Sequence, residues 1–115
     1  MPGHVYILAS RRYGTLYTGV TSNLAARVVQ HRDGLVPGFT RQYSVTRLVH
    51  VETFDDMRDA IVREKRIKEW KRDWKIELIE RDNPMWDDLA TALLGLPPMP
   101  PRPARHPGES RDPDA

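Results

Sequence analysis

His4-Val-Tyr-Ile-Leu-Ala-Ser10 and Leu16-Tyr-Thr-Gly-Val20 decide the fold, because both segments are rich in β-forming residues. The residues between them, Arg11-Arg-Tyr-Gly-Thr15, include a glycine that can adopt a positive φ. The two segments are therefore predicted to pair as a β-hairpin. Side chains alternate between the faces of a strand, so Tyr6 and Tyr17 have defined positions on this sheet.

Apolar residues at helical spacing and local capping residues predict the other elements. These are helices over about 23–32, 55–72, 74–81 and 83–95, with a strand over 46–52 before the second helix and a break near Asp73. In the last helix, Asn83 is the expected N-cap, Pro84 the first helical residue and Trp86 part of the apolar stripe. The order ββαβααα predicts an α+β fold, with a small three-stranded antiparallel sheet packed against helices.

The 115-residue chain is long enough for one domain. From Leu96 onward it is rich in proline and poor in apolar residues, so the domain is predicted to span 1–95 and residues 96–115 to form a disordered tail. The absence of cysteine excludes disulfides and thiolate-bound metals. No secretion signal or bilayer-spanning apolar run is visible, so a cytoplasmic location and no membrane partner are expected.

The small total charge conceals two unlike regions. The formal net charge is +2, but residues 1–81 carry 15 Lys and Arg against 10 Asp and Glu, while residues 82–115 carry 3 against 6. A basic body favours a polyanionic partner through counterion release. Many soluble domains are equally basic for other reasons, so charge supports nucleic-acid binding only slightly.

Glu64 falls on the apolar side of the long predicted helix, in series with Met57, Ala60 and Ile61. An ionised carboxylate is rarely placed there without a partner. One interpretation is a salt bridge with Lys68, one turn further along, or a position at the edge of the apolar face. The other is a ligand for a hard cation such as Mg²⁺. The spacing alone favours the structural interpretation.

Arg27 and His31 are four residues apart and hence share a helix face. An arginine can hold two phosphate oxygens, and a histidine can assist proton transfer near neutral pH. The alternative is an ordinary solvated face. Tyr6 and Tyr17 carry phenols on adjacent strands that could position or deprotonate a nucleophile, although most strand tyrosines only pack.

The segment Arg63-Glu-Lys-Arg-Ile-Lys-Glu-Trp-Lys-Arg-Asp-Trp-Lys75 holds seven bases, three acids and two tryptophans. It is interpreted either as a solvated helix face, since the acids alternate with the bases, or as a surface that follows a nucleic-acid backbone. Trp70 and Trp74 are expected in the core rather than as a platform on which bases stack.

As an ordered set, these residues resemble the GIY-YIG endonuclease superfamily, in particular its small single-domain bacterial members of the UPF0213 type. The similarity covers about residues 3–90. The corresponding motifs are His4-Val-Tyr6 in place of Gly-Ile-Tyr, Tyr17-Thr-Gly19 in place of Tyr-Ile-Gly, Arg27 with His31, Gly38-Phe-Thr-Arg-Gln-Tyr43, Ala60-Ile-Val-Arg-Glu-Lys-Arg-Ile-Lys-Glu-Trp70 and Asn83-Pro84. His4 and Thr18 depart from the literal motifs, and neither change removes a functional side chain of the family.

The resemblance implies an endonuclease that hydrolyses DNA phosphodiester bonds with a single Mg²⁺ or Mn²⁺ ion. It places Tyr6 and Tyr17 in the nucleophile pocket, Arg27 on the scissile phosphate, His31 as an assisting group and Glu64 on the metal. Which tyrosine acts as the base stays open. The nucleic-acid-binding residues implied are Arg27, Thr40, Arg41, Tyr43, Lys65, Lys68 and Lys71, with Gly19 and Asn83 in supporting positions.

Three functions remain open on the sequence. A nuclease without a separate recognition module is expected to prefer branched, flapped or single-stranded DNA. A binding module of the same fold would hold DNA or RNA without cutting it. An adaptor would depend on a protein partner for its choice of target.

Overall fold

The computed structural model describes residues 1–98, and its centre is a three-stranded antiparallel sheet. The strands are β1 (Gly3–Ala9), β2 (Leu16–Thr21) and β3 (Arg47–Phe54), in the order β2-β1-β3. In the β1/β2 hairpin Tyr6 is opposite Gly19 and Leu8 is opposite Tyr17. The predicted antiparallel sheet is therefore confirmed, and its register puts Tyr6 and Tyr17 on the same face.

Five helices accompany the sheet. They are α1 (Leu24–Arg32), α2 (Phe39–Tyr43), α3 (Met57–Glu69), α4 (Arg72–Asp82) and α5 (Leu89–Leu94). Side-chain caps start two of them as the sequence predicts: Asn23 accepts a hydrogen bond from the amide of Ala26, and Asp56 accepts one from the amide of Arg58. These caps fix where the helices that carry Arg27 and Glu64 begin.

The central strand β1 is buried on both faces and separates two apolar clusters. One cluster combines residues of the sheet with residues of α3 and α4 and consists of Val5, Ile7, Ala9, Val49, Ala60, Ile67, Leu78, Ile79 and Trp86. The other cluster lies on the other face and consists of Tyr6, Leu8, Leu24, Val28, Val45, Leu48 and Ala90, with Tyr17 and Tyr43 packed against them. The phenols of the hairpin thus belong to the face shared with α1 and α5.

The break between α3 and α4 and the short helix α2 differ from the sequence prediction. The helix break lies at Trp70 and Lys71, whose extended ψ angles are 151° and 152°, rather than near Asp73. Asp73 instead lies in the first turn of α4, where a carboxylate interacts favourably with the helix dipole. The short helix α2 was not predicted, because five residues are too few to show a helical period.

The prediction that Asn83 caps the last helix is wrong. Asn83 is buried at the end of α4, and its side-chain amide donates to the carbonyl oxygens of Val49 at 3.1 Å and Asp87 at 2.9 Å. The last helix begins six residues later, with Asp88 as its N-cap. Trp86 is fully buried outside any helix, with φ of 58°. These contacts join α4 to β3 and to the turn before α5.

The packed part of the chain continues beyond the predicted domain boundary at residue 95. Leu96 packs against the cluster that contains Tyr6, and the carbonyl oxygen of Pro97 accepts a hydrogen bond from Arg32 at 2.6 Å. The rest of the predicted tail, 99–115, lies outside the described residues. Within residues 1–98 no helix is both long and apolar enough to cross a membrane.

Candidate active site

The Tyr6 ring is 1% exposed and lies over Gly19 on the neighbouring strand. A Cβ atom at position 19 would overlap the Tyr6 hydroxyl and lie 2.5 Å from its Cζ. Gly19 therefore makes room for the phenol, which gives its predicted supporting position a physical basis.

His31 of α1 lies between Tyr6 and Thr40, and all three side chains are buried. The Tyr6 hydroxyl is 3.1 Å from Nε2 of His31, and the Thr40 hydroxyl is 3.0 Å from Nδ1. Both ring nitrogens of His31 are thereby engaged, which fixes the ring orientation. Thr40, which the resemblance places among the nucleic-acid contacts, lies inside the protein and holds the histidine.

The surroundings set the protonation states of this chain of hydrogen bonds. Burial, and then the positive charge of Arg27, lower the pKa of His31 below its ordinary value of 6.5. Burial is also the main cause of a raised pKa for Tyr6, with further contributions from Tyr17 and from the charge of Glu64. Near neutral pH the site therefore holds a neutral imidazole beside a protonated phenol.

Tyr17 and Arg27 are half-buried, so they connect the buried histidine to the surface. The ring centroids of Tyr17 and His31 are 5.5 Å apart, and those of Tyr17 and Tyr6 are 6.3 Å apart. Arg27 lies one turn before His31 on α1, and its Nη1 donates to Gln30 at 3.3 Å. Its charge acts on both Tyr6 and His31.

Glu64 of α3 is 8% exposed, and its charge also acts on Tyr6. Its Oε2 is 3.1 Å from Nζ of Lys68, one helical turn away. The salt bridge considered for Glu64 from the sequence is thus present. A hydrogen bond and ring contacts bring Tyr6, Tyr17 and His31 together, whereas Arg27 and Glu64 act on this group through their charges.

The donor set fits a weakly anchored hard cation. Among residues 1–98, no three His, Asp or Glu side chains are grouped so that they could hold a metal ion. Mg²⁺ accepts one or two carboxylates and completes its octahedron with water and substrate phosphate oxygens. Glu64 can supply that single carboxylate, and a cation there would compete with Lys68 for it.

Most of the other predicted nucleic-acid contacts lie on the surface of the protein. Arg41, Lys65, Lys68 and Lys71 are exposed, whereas Tyr43 is half-buried beside Phe39.

The expectation of a core position is wrong for Trp74, which is 57% exposed. The centroid of its ring lies 6.0 Å from that of Trp70. Asn83, by contrast, makes its side-chain hydrogen bonds within the α4–α5 region and with β3.

Sequence reasoning missed an ionic cluster between β3 and α3. Nε and Nη2 of Arg63 donate to the two carboxylate oxygens of Glu52 at 2.8 and 3.1 Å. Nε2 of His50 donates to the same carboxylate at 2.8 Å. These hydrogen bonds and charges lower the pKa of Glu52 to about 2. The two-residue spacing of His50 and Glu52 on a strand was the available signal.

Known proteins resemble this chain in sequence and in fold. The GIY-YIG catalytic domain matches residues 2–77. UPF0213 proteins from Clostridium perfringens and Natronomonas pharaonis are each 40% identical over 76 residues, which is 66% of this chain and 81% and 88% of the respective relatives. The solution NMR structure of a UPF0213 protein from Bacillus halodurans has a TM-score of 0.50 and 27% identity, and the similarity covers 81% of this chain and 98% of that chain.

The matched residues 2–77 contain β1, β2, α1 and α3, which carry the tyrosines, Arg27, His31 and Glu64. The family is one of nucleases, so membership implies an endonuclease-type function acting on nucleic acid. The domain match and the shared fold lead to one conclusion: this chain belongs to the GIY-YIG family.

Proposed function

We propose that the protein is a divalent-metal-dependent endonuclease that hydrolyses phosphodiester bonds in DNA. The observation that carries the proposal is the cluster of Tyr6, Tyr17 and His31, whose ring centroids lie 5.5 to 6.3 Å apart. The charges of Arg27 and Glu64 act on this cluster. A guanidinium suits the negative charge of a phosphate, and the phenols and imidazole suit proton transfer.

Arg27 binds the scissile phosphate in this proposal. Its guanidinium can donate two parallel hydrogen bonds to phosphate oxygens, and it is held half-buried, where its charge is less screened than on an open surface. As negative charge accumulates on the phosphate oxygens during attack, these hydrogen bonds strengthen. Arg27 therefore contributes more to the transition state than to ground-state binding.

Tyr17 is the phenol that contacts the attacking water, because it is half-buried whereas Tyr6 is fully enclosed. The water proton passes to the Tyr17 oxygen as the Tyr17 proton moves to Tyr6, and the Tyr6 proton moves to Nε2 of His31. The hydroxide then forms its bond to phosphorus, and the bond to the leaving oxygen breaks. His31 must begin neutral to accept this proton, and the lowered pKa provides that state.

Glu64 would hold a Mg²⁺ or Mn²⁺ ion. When bound, such an ion polarises the phosphate and stabilises charge on the leaving oxygen. Lys68, which pairs with Glu64, would then be available to a neighbouring phosphate. This places a second basic contact one helical turn from the metal ligand.

The pairing of Glu64 with Lys68 also favours a second candidate, a nucleic-acid-binding module that does not cut. If Lys68 keeps the carboxylate, no metal is held and the basic side chains alone bind DNA. The two candidates differ in whether wild-type protein cleaves any form of DNA when metal is supplied.

The test compares wild type with Glu64→Gln on labelled single-stranded, duplex, flapped and four-way-junction DNA, with Mg²⁺ or Mn²⁺. We expect cleavage to fall by on the order of 100-fold or more while DNA affinity changes little, since binding rests on Arg and Lys. Glu69→Gln, an exposed acid at the end of the same helix, is the matched control. Retained binding without cleavage of any substrate by wild type would favour the binding module.

A further inference from the structure

Two aromatic side chains form a small, partly exposed surface on α2, next to the proposed catalytic cluster. The rings of Phe39 and Tyr43 are 5.1 Å apart between centroids and inclined at 60°. Phe39 is 42% exposed, while Tyr43 is half-buried. A partly exposed phenylalanine beside a second ring offers an apolar face that the packed core does not use.

The surface is attached rigidly to the site. Between the two aromatic residues, Thr40 points inward to His31, and its carbonyl oxygen accepts a hydrogen bond from Val45 at 2.9 Å. Tyr43 packs against the apolar cluster that contains Tyr6. Positive φ angles at Gly38 and Ser44 turn the chain at both ends of α2. Any group bound on these rings therefore lies beside the hydrogen-bonded phenol and histidine.

The charge of this region suits a polyanion. Residues 34–51 contain no Asp or Glu, and they contain Arg41 and Arg47. Arg41 is exposed between the two aromatic residues. A nucleic-acid backbone can approach such a segment without repulsion, and Arg41 can contact its phosphates. Exposed rings combined with basic side chains are the features that bind unpaired nucleic acid by stacking.

We propose that Phe39 and Tyr43 stack an unpaired base of single-stranded DNA next to the scissile phosphate, so that this nuclease prefers single-stranded or flapped DNA to intact duplex. The proposal rests on the proposed function for the position of that phosphate. In a duplex the base faces are already stacked on one another, so they are not accessible to these rings. Base stacking is tolerant of sequence, and the resulting preference is for structure rather than for a particular base.

The test measures binding without added divalent metal, so that no strand is cut. The probes are single-stranded DNA with a fluorescent adenine analogue, the same strand in a duplex, and the matching RNA strand. The variants are Phe39→Leu, which removes the ring, Phe39→Trp, which keeps one, and Leu35→Ala as a control in the same loop, where Leu35 is 68% exposed. Fluorescence quenching reports stacking, and anisotropy reports affinity.

We expect Phe39→Leu to weaken single-stranded DNA binding by roughly 5- to 100-fold and to lose quenching, with little change for duplex. Phe39→Trp should restore both signals, and Leu35→Ala should leave them unchanged. An equal loss for single strand and duplex, or no loss, would overturn the proposal, and a loss confined to RNA would overturn the assignment to DNA.

The outcomes also separate this proposal from the nuclease function. Suppose that Phe39→Leu selectively loses single-stranded DNA binding and that the wild-type protein cuts no DNA. The aromatic surface would then be supported, and the nuclease proposal would be refuted. Cleavage that depends on Glu64 but shows the same substrate preference after Phe39→Leu would support the nuclease and refute the aromatic surface.

Discussion

At the scale of single residues, the site depends on a glycine opposite Tyr6. Gly19 leaves the space that the Tyr6 ring fills, and the ring in turn places its hydroxyl 3.1 Å from His31. The hairpin and the faces of both tyrosines follow from strand alternation. The hydrogen bond between Tyr6 and His31 does not follow from strand alternation, because it depends on how α1 packs on the sheet.

Gly19→Ala should displace the Tyr6 ring, because the added methyl would lie 2.5 Å from Cζ of Tyr6. We expect a loss of about 1–3 kcal/mol in the free energy of unfolding, the usual range for overpacking, together with reduced cleavage. Denaturant unfolding measures the first effect. Combining Gly19→Ala with Tyr6→Leu, which shortens the opposing side chain, should recover part of the lost stability, and strict additivity of the two changes would contradict this explanation.

Arg27→Gln should raise the pKa of His31 toward 6.5, because the guanidinium charge is one of the two causes that lower it. NMR titration of the His31 ring protons measures the change directly. Arg41→Gln, an exposed charge in the next helix, should leave that pKa unchanged. An unaltered His31 titration in Arg27→Gln would remove Arg27 from the electrostatics of the site.

The same pKa has a consequence for stability. The folded protein binds a proton at His31 less readily than the unfolded chain, whose value is 6.5. As pH falls below about 6.5, the unfolded state is protonated first, so this residue destabilises the fold until the folded-state pKa is passed. Arg27→Gln should therefore also reduce the loss of stability that His31 causes below pH 6.5.

At the scale of elements, an ionic cluster ties α3 to β3. Arg63 holds both carboxylate oxygens of Glu52, and His50 donates to one of them. The guanidinium of Arg63 also lies 5.0 Å from the centroid of the Trp70 ring. Because α3 also carries Glu64, this cluster helps to fix the position of the proposed metal ligand.

Glu52→Gln should cost roughly 2–3 kcal/mol at pH 7, since the pKa of Glu52 falls from 4.5 to about 2 on folding. A lowered carboxylate pKa stabilises the fold above pH 4.5, and this contribution disappears as pH falls to about 2. Unfolding experiments across that range should show a flatter acid dependence in Glu52→Gln. Glu77→Gln, an exposed acid on α4, should retain the wild-type dependence.

Elements with long periodic segments were predictable from sequence, and short ones were not. Residues 24–32 and 57–69 show both apolar spacing and a capping side chain, so α1 and α3 were found. The helix that holds Thr40 has five residues and no side-chain cap, which leaves no local signal. Asn83 followed by Pro84 has the sequence form of an N-cap, but tertiary hydrogen bonds to Val49 override that local preference.

At the scale of the whole molecule, the proposed site is built from residues that are far apart in sequence. Tyr6 and Tyr17 come from the hairpin, His31 from α1, Thr40 from α2 and Glu64 from α3. Local patterns gave each residue a structural explanation that was at least as good as a functional one. In the sequence, only the ordered similarity to a family linked these residues. The role of Thr40 as the partner of His31 is visible only in the structure.

The C-terminal boundary provides a final prediction, tested by two truncated chains. Ending the chain after residue 98 removes three arginines and three acidic residues, so the net charge stays at +2. We expect unchanged stability and an unchanged salt dependence of DNA binding, which follows the number of phosphates neutralised.

Ending the chain after residue 95 removes two further contacts, the packing of Leu96 against the Tyr6 cluster and the hydrogen bond from Arg32 to Pro97. Their loss should reduce the free energy of unfolding by about 1–2 kcal/mol. Arg32 also pairs with Asp88 at 3.1 Å, so the end of α1 stays tied to the N-cap of α5 and the site should survive. Equal stability of the two truncated chains would place the boundary at residue 95. A large loss in the longer one would mean that residues 99–115 contribute to the fold.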